Sequence, residues 1–209
     1  MLFRLLADNE RERFWTQSNP FPDVVITDWF NNAVSTAVNA GIFAGMPDGT
    51  FQPNREITRA ELVSAAVRFM GLAHQRVDSP MFSDIYGHWA FDAINTAADL
   101  GWIVGYNGLG GVFMPDQPIT RAETVAIFNN MLGRLPQTTD DLLPNMVTWP
   151  DNANPHAWYY LHIQEATNSH RYVRKEDGIH ETWTELIQTP DWSALERPTS
   201  ELDDVLIQE

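Results

Sequence analysis

Two arginines stand at the same place in two copies of one short motif, Arg59 in Ile57-Thr58-Arg59-Ala60-Glu61 and Arg121 in Ile119-Thr120-Arg121-Ala122-Glu123. Thr followed three residues later by Glu is a capping box: the Thr hydroxyl accepts the Glu backbone N–H, and the Glu carboxylate returns to the Thr N–H. Each Arg is thus expected at the first helical position, where free N–H groups and the helix dipole favour an anion. A guanidinium there grips a carboxylate through two parallel hydrogen bonds, a geometry that Lys does not reproduce. The cap explains Thr58, Glu61, Thr120 and Glu123 without any ligand. It asks nothing of its second position, so Arg in both copies points to a shared anionic ligand. The competing reading is a salt bridge to Asp23, Asp84 or a carboxylate of another repeat.

The elements that carry these arginines repeat along the chain. Phe21-Pro22-Asp23 leads to Trp29, and Phe82-Ser83-Asp84 leads to Trp89; at equal distances after each Trp come Val34 and Ile94, Ala37 and Ala97, Gly41 and Gly101, Gly45 and Gly105. Apolar residues at helical spacing after each Trp predict a first helix, which Gly41 or Gly101 stops in a left-handed cap. A turn through Met46-Pro47-Asp48-Gly49-Thr50, or its longer counterpart around Gly108 to Gly110, then leads to Phe51 or Phe113 and on to the capping box. The second helix runs to Gly71 or Gly133. A third copy is degenerate: Trp149-Pro150-Asp151, Trp158, Ile163 and Ala166 keep the register, but His170 and Arg174 replace the two glycines. Its counterpart of the capping box is Thr182-Trp183-Thr184-Glu185, with Trp183 where the Arg belongs. One helix-loop-helix unit buries too little surface to stand alone, so the copies must share a core formed largely by the second helices.

Phe-x-Asp, Trp, Gly-x-x-x-Gly, Asp-Gly-Thr-Phe-x-Pro and Ile-Thr-Arg-Ala-Glu, in that order, resemble the S-layer homology family. The resemblance covers 21–72 and 82–135 closely and 147–187 weakly. Phe3-Arg4-Leu5-Leu6 resembles Val67-Arg68-Phe69-Met70, so 1–20 reads as the end of a preceding repeat with its linker. The family implies a mainly all-α fold, with repeats about a pseudo-threefold axis and grooves that hold the secondary polysaccharide of bacterial cell walls, often through a pyruvylated amino sugar. It therefore implies non-covalent anchoring of an exported, extracellular protein at the cell wall or S-layer, with no catalysis and no cofactor. Other S-layer or surface-protein domains are further possible partners.

On that reading the ligand-contact candidates are Arg59 and Arg121 with Gly45 and Gly105, which lie in loops. Gly41 and Gly101 fit helix caps better than contacts. Trp29 and Trp89 fit core packing at their apolar helical positions, with a platform for sugar C–H groups as the alternative. Asp23 and Asp84 cap a turn or accept sugar hydroxyls, and Asp48 of the Asp-Gly-Thr-Phe-x-Pro motif completes the set. At most two sites are expected, and the third copy is expected to be structural.

Composition narrows the alternatives. The 209 residues carry 13 Lys and Arg against 28 Asp and Glu, a formal net charge of −15, which repels a nucleic-acid backbone. Affinity for an acidic polymer must then come from local geometry and fall little with salt. Cysteine is absent, so thiol chemistry and Cys-bound metals are excluded. His156, His162, His170 and His180 cluster in the third copy, but no His-x-x-x-His pair accompanies them and they read as surface or packing residues. No apolar run is long enough to insert into a membrane. A glycoside hydrolase would need two carboxylates across a cleft, whereas the recurring ones are equivalent positions in different copies. A structural or protein-binding array for S-layer assembly, its arginines in salt bridges, is the stronger rival. The acidic stretch 195–209 reads as a solvated tail, with Trp192 and Leu195 docking before it.

Overall fold

The computed structural model describes residues 1–72, 79–108 and 110–192; Leu195 and the acidic stretch 195–209 lie outside them. The elements are α1 (Leu2–Leu5), α2 (Asp8–Phe14), α3 (Asn31–Asn39), α4 (Arg59–Phe69), α5 (Phe91–Asp99), α6 (Arg121–Leu132), α7 (Tyr160–Thr167), β1 (His170–Arg174) and β2 (Glu181–Leu186), with single 3-10 turns at Thr139–Asp141 and Pro150–Asn152. The all-α expectation is corrected: helices make up a minority of the residues, and β1 and β2 form an antiparallel sheet. No helix among the described residues is long and apolar enough to cross a membrane.

The described residues divide into two compact units, those of 1–55 with 190–192, and those of 56–189. The division falls inside the first repeat, between its loop and its second helix.

In the first unit α1 and α2 both pack on α3. The buried face of α3 is not the alanine and valine stripe that spacing suggests. It is Asn31, Asn32, Ser35, Thr36 and Ala37. Asn19 explains this, because its amide donates to Asn31 Oδ1 at 3.0 Å and Ser35 Oγ at 3.1 Å, while Asn31 donates to the Gln17 carbonyl at 3.0 Å. An irregular segment laid over a helix leaves backbone groups to satisfy, and short polar side chains on that face supply the partners. Arg4 stacks over the Trp192 ring at 5.8 Å.

In the second unit α4 packs against α5 and α6, and α6 against α7. Ala60, Val63, Ala66 and Val67 of α4 are fully buried, as are Ile94 and Ala97 of α5. Both capping boxes form as the sequence predicts, with Thr58 accepting from Glu61 and Thr120 from Glu123. The two entry segments also meet: Ile119 donates to the Ile57 carbonyl at 3.0 Å and Arg59 N–H to the Gln117 carbonyl at 3.0 Å.

Residues 147–187, expected as a third copy, contain no second helix. Residues 170–186 form a hairpin around Asp177-Gly178, whose Asp177 carboxylate accepts from the backbones of Ile179 and His180 at 2.8 and 2.9 Å. Thr182 is not a helix cap, because its hydroxyl donates to Asp141 Oδ1 at 2.7 Å. Aromatic and β-branched residues over Tyr172-Val173 and Thr182-Trp183-Thr184 favour a strand, and the turn chemistry closes it.

Candidate functional site

Within residues 56–189, a pocket of about 360 Å³ is lined by Arg59, Trp102, Gly105, Tyr106, Glu123 and Trp158, with His162 at its side. Its cationic group is Arg59, and every fixed contact of that side chain comes from the following repeat. Arg59 Nε donates to the Phe113 carbonyl at 2.8 Å and Nη1 to Glu123 Oε1 at 2.6 Å. The guanidinium carbon lies 4.6 Å from the Phe113 ring centroid and 5.0 Å from that of Tyr106. The side chain is only 6% exposed. Two rings and two acceptors therefore fix its plane, and Nη2 is the nitrogen that donates to no described residue.

The helix N-terminus is not the open anion site that the capping motif suggests. Arg59 N–H and Ala60 N–H donate to the carbonyls of Gln117 and Pro115 at 3.0 and 2.9 Å. The loop of the next repeat thus uses the donors that an anion would want.

Glu123 is held from several sides. Oε1 also accepts from the Tyr106 hydroxyl at 2.8 Å, and Oε2 accepts from the Thr120 N–H at 2.9 Å and its hydroxyl at 2.8 Å. Burial alone would raise its pKa, but the hydrogen bonds from Thr120 and Tyr106 and the Arg59 charge outweigh it and hold the carboxyl below its ordinary value. Burial and the same carboxylate push the Tyr106 hydroxyl pKa up. Burial lowers the His162 pKa, and its Nδ1 is buried with no hydrogen-bond partner among the described residues.

The other arginine is placed differently. Arg121 opens α6 but is exposed, with no ion pair or hydrogen bond from its side chain among the described residues. Glu185, the register counterpart of Glu123, lies on strand β2 and pairs with Arg171 at 3.2 Å, so it does not hold Arg121. The two motif arginines are not equivalent, and the pocket contains one of them.

Asp23 and Asp84 are loop clamps. Asp23 accepts from the backbones of Phe51 and Gln52 at 2.9 and 2.7 Å, and Asp84 from those of Phe113 and Met114 at 2.8 and 2.7 Å. Gln52 and Met114 have φ of 58° and 57°, so each carboxylate holds a left-handed residue that carries a side chain. Asp48 accepts from Thr50 and Gln52 within its own turn. At Gly105 a Cβ would meet the Phe82 ring and the Val112 carbonyl, and at Gly45 the Phe21 ring, so both glycines admit a core phenylalanine. Gly41 and Gly101, at φ 74° and 72°, follow α3 and α5 in open space as caps.

The core packing expected of Trp29 and Trp89 is corrected: they are 80% and 63% exposed, as is Trp158 at 62%. All three precede the first helical residue of their copy, so the apolar stripe of the helix does not include them. Trp158 joins the pocket, and its register with Trp29 and Trp89 was the one signal in the sequence for it. The Arg59–Glu123 pair is the competing reading of the motif, a salt bridge to a carboxylate of another repeat, although the sequence does not single out Glu123 or Tyr106, because the pairing depends on how consecutive repeats meet.

A family model for the S-layer homology domain matches residues 20–63 and 82–125. Among curated relatives, Cell surface glycoprotein 1 of Acetivibrio thermocellus is 33% identical over 177 residues, covering 79% of this chain and 7% of that protein. The Cellulosome-anchoring protein of the same organism is 33% identical over 179 residues, 84% of this chain and 38% of the relative. Exoglucanase XynX, also from Acetivibrio thermocellus, is 34% identical over 139 residues, 63% of this chain and 12% of the enzyme. The chain thus spans well under half the length of each.

Proposed function

We propose that this chain, which carries two S-layer homology domains at residues 20–63 and 82–125, anchors a protein to the bacterial cell surface by holding a wall polysaccharide in the Arg59 pocket, without catalysis. Relatives with cell-surface and cellulosome-anchoring names support the coarse reading. The observation that carries the finer one is a buried guanidinium, fixed in plane by Phe113 and Tyr106 and with Nη2 donating to no described residue, in a pocket that the exposed Trp158 also lines. Sugar recognition calls for this pairing, since an indole face meets C–H groups while a fixed donor meets an oxygen. A pyruvyl ketal places a carboxylate on the sugar, and a carboxylate is the acceptor a guanidinium prefers. Arg121, exposed and unheld, is assigned at most an auxiliary contact with the polymer.

The only carboxylate in this pocket is Glu123, which is already hydrogen-bonded on both oxygens and has a lowered pKa, the wrong setting for a general acid. Exoglucanase XynX is matched over 12% of its length, so its name describes a much larger protein than the shared segment.

The test is co-sedimentation with purified bacterial walls that carry pyruvylated polymer, and with the same walls after chemical removal of the ketal. The native chain should pellet with the first, pellet less with the second, and stay in solution as Arg59→Ala, while Arg121→Ala still pellets. Equal pelleting of native protein and a folded Arg59→Ala variant sinks the pocket. Failure of the native chain to pellet favours an assembly module in which Arg59 and Glu123 are only an internal ion pair.

A further inference from the structure

The hairpin of the third copy closes over three buried side chains from three elements, Glu165 of α7, His170 of β1 and Glu181 of β2. One possible ligand atom from each lies within 4.8 Å of the others. His170 Nε2 is 3.3 Å from Glu165 Oε2 and 3.3 Å from Glu181 Oε1, and none of the three side chains is more than 2% exposed. The other ring nitrogen, Nδ1, sits 2.7 Å from the Asn168 carbonyl, which fixes it as a donor and aims Nε2 at the carboxylates. An imidazole oriented through its second nitrogen by a backbone carbonyl is the usual outer support of a metal-bound histidine. Trp183 stacks on the His170 ring at 4.0 Å and donates from Nε1 to Glu165 Oε2 at 2.9 Å, so two ligands are held by one side chain. Glu181 Oε2 is buried without a hydrogen-bond partner among the described residues, a costly state for a carboxylate oxygen.

We propose that Glu165, His170 and Glu181 bind one zinc-class dication that clips α7 to both strands of the hairpin. Zinc bonds of about 2.0–2.1 Å in a tetrahedron place neighbouring ligand atoms about 3.3 Å apart, and both measured separations from Nε2 match that edge. One imidazole nitrogen with carboxylate oxygens suits zinc, whereas calcium and magnesium take shells of six or more oxygens. Arg134 occupies the cation's side of the cluster, with Nη2 3.0 Å from both His170 Nε2 and Glu165 Oε1. Its Nε is buried without a hydrogen-bond partner among the described residues although the side chain is 37% exposed. A dication replaces this guanidinium as the counter-charge of the two carboxylates and takes the place of the Nε2 proton; Arg134 then turns outward along the Tyr172 ring, 5.4 Å away, and water completes the coordination. Arg174 lies farther, 3.8 Å from Glu181 Oε2, and is tied to the carbonyls of Gly133 and Ile179.

The experiment loads the untagged 209-residue chain with zinc chloride, dialyses it against metal-free buffer and measures zinc by mass spectrometry. One zinc per chain should remain, with an imidazole and oxygens at about 2.0 Å in its X-ray absorption spectrum. Retention should fall at least tenfold in His170→Gln and Glu181→Gln, and persist in Arg134→Ala and in a His156→Ala plus His180→Ala double variant. The native thermal midpoint should rise with zinc and return with chelator. If the native chain keeps no zinc, or if retention follows the His156 and His180 substitutions instead, the cluster is an ion-pair network and the proposal fails. Should the His170 or Glu181 variants not fold, an absorption spectrum of the native protein without imidazole overturns it equally.

Discussion

Arg59 Nη1 lies 2.6 Å from Glu123 Oε1, joining the capping-box helix of one repeat to the capping carboxylate of the next. Glu123 therefore serves two structures at once, since its Oε2 closes the cap of α6 while Oε1 takes the guanidinium and the Tyr106 hydroxyl. The side chains are 6% and 16% exposed, which makes the pair largely internal.

Breaking that pair from one side should be costly, because the surviving charge stays buried. Arg59→Ala is expected to lose about 3–5 kcal/mol of unfolding free energy. Arg59→Met with Glu123→Gln should lose clearly less than the sum of the single changes, because neither then leaves a lone charge. A double-mutant cycle by urea unfolding measures the coupling; additivity within about 0.5 kcal/mol would show that the two side chains do not interact in solution.

The aspartate clamps make a second prediction. Asp84 holds two successive N–H groups and with them Met114 at φ 57°. Asp84→Ala should cost about 2–3 kcal/mol from two charge-assisted hydrogen bonds. Met114→Gly in that background should recover part of it by removing the left-handed penalty. Equal losses with Met and Gly at 114 would separate the carboxylate from the backbone conformation.

A third contrast concerns glycines. A Cβ at Gly105 would lie 2.5 Å from the Phe82 ring, which is fully buried, and 2.8 Å from the Val112 carbonyl oxygen. Gly105→Ala should therefore cost about 1–3 kcal/mol by overpacking. Gly101→Ala meets nothing within 4 Å and pays only for φ 72°, about 1–2 kcal/mol. Only the first should alter the pocket, through the Phe82 shift, so wall binding per folded molecule should drop for Gly105→Ala and hold for Gly101→Ala.

These contrasts show which features were legible in sequence. Capping boxes, helix stops and the repeat register depend on residues close along the chain, so Thr58 with Glu61 and Thr120 with Glu123 could be read directly. The partners of Arg59 come from Phe113, 54 residues away, and Glu123, 64 residues away, and a motif does not encode such pairs. The third copy misled for a different reason. Its Thr182 and Glu185 imitate a capping box, but Asp141 takes the Thr182 hydroxyl and the aromatic and β-branched residues beside it favour a strand. Trp29 and Trp89 share the apolar spacing of the helices that follow them but precede their first residues, Asn31 and Phe91, so that spacing does not bury them.

The same Asp141 sets the acid limit of the hairpin's attachment. It accepts from the Lys175 ammonium at 2.8 Å, the Thr182 hydroxyl at 2.7 Å, and the backbones of Gln137 and Thr138 at 3.0 and 2.9 Å. Burial would raise its pKa, but these bonds outweigh it and hold the carboxyl far below the usual range. A carboxyl depressed in the folded state contributes stability that is fully present above its unfolded pKa of about 3.9 and is lost as pH falls toward the folded value. Between pH 5 and pH 2 the native protein should therefore lose stability faster than Asp141→Asn, which lacks the titrating group and starts from a lower value at neutral pH. Urea midpoints across that range, followed through tryptophan emission, give both slopes. If Asp141→Asn loses as much stability between pH 5 and pH 2 as the native chain, the acid sensitivity arises elsewhere and the clamp is not ionised in the folded protein.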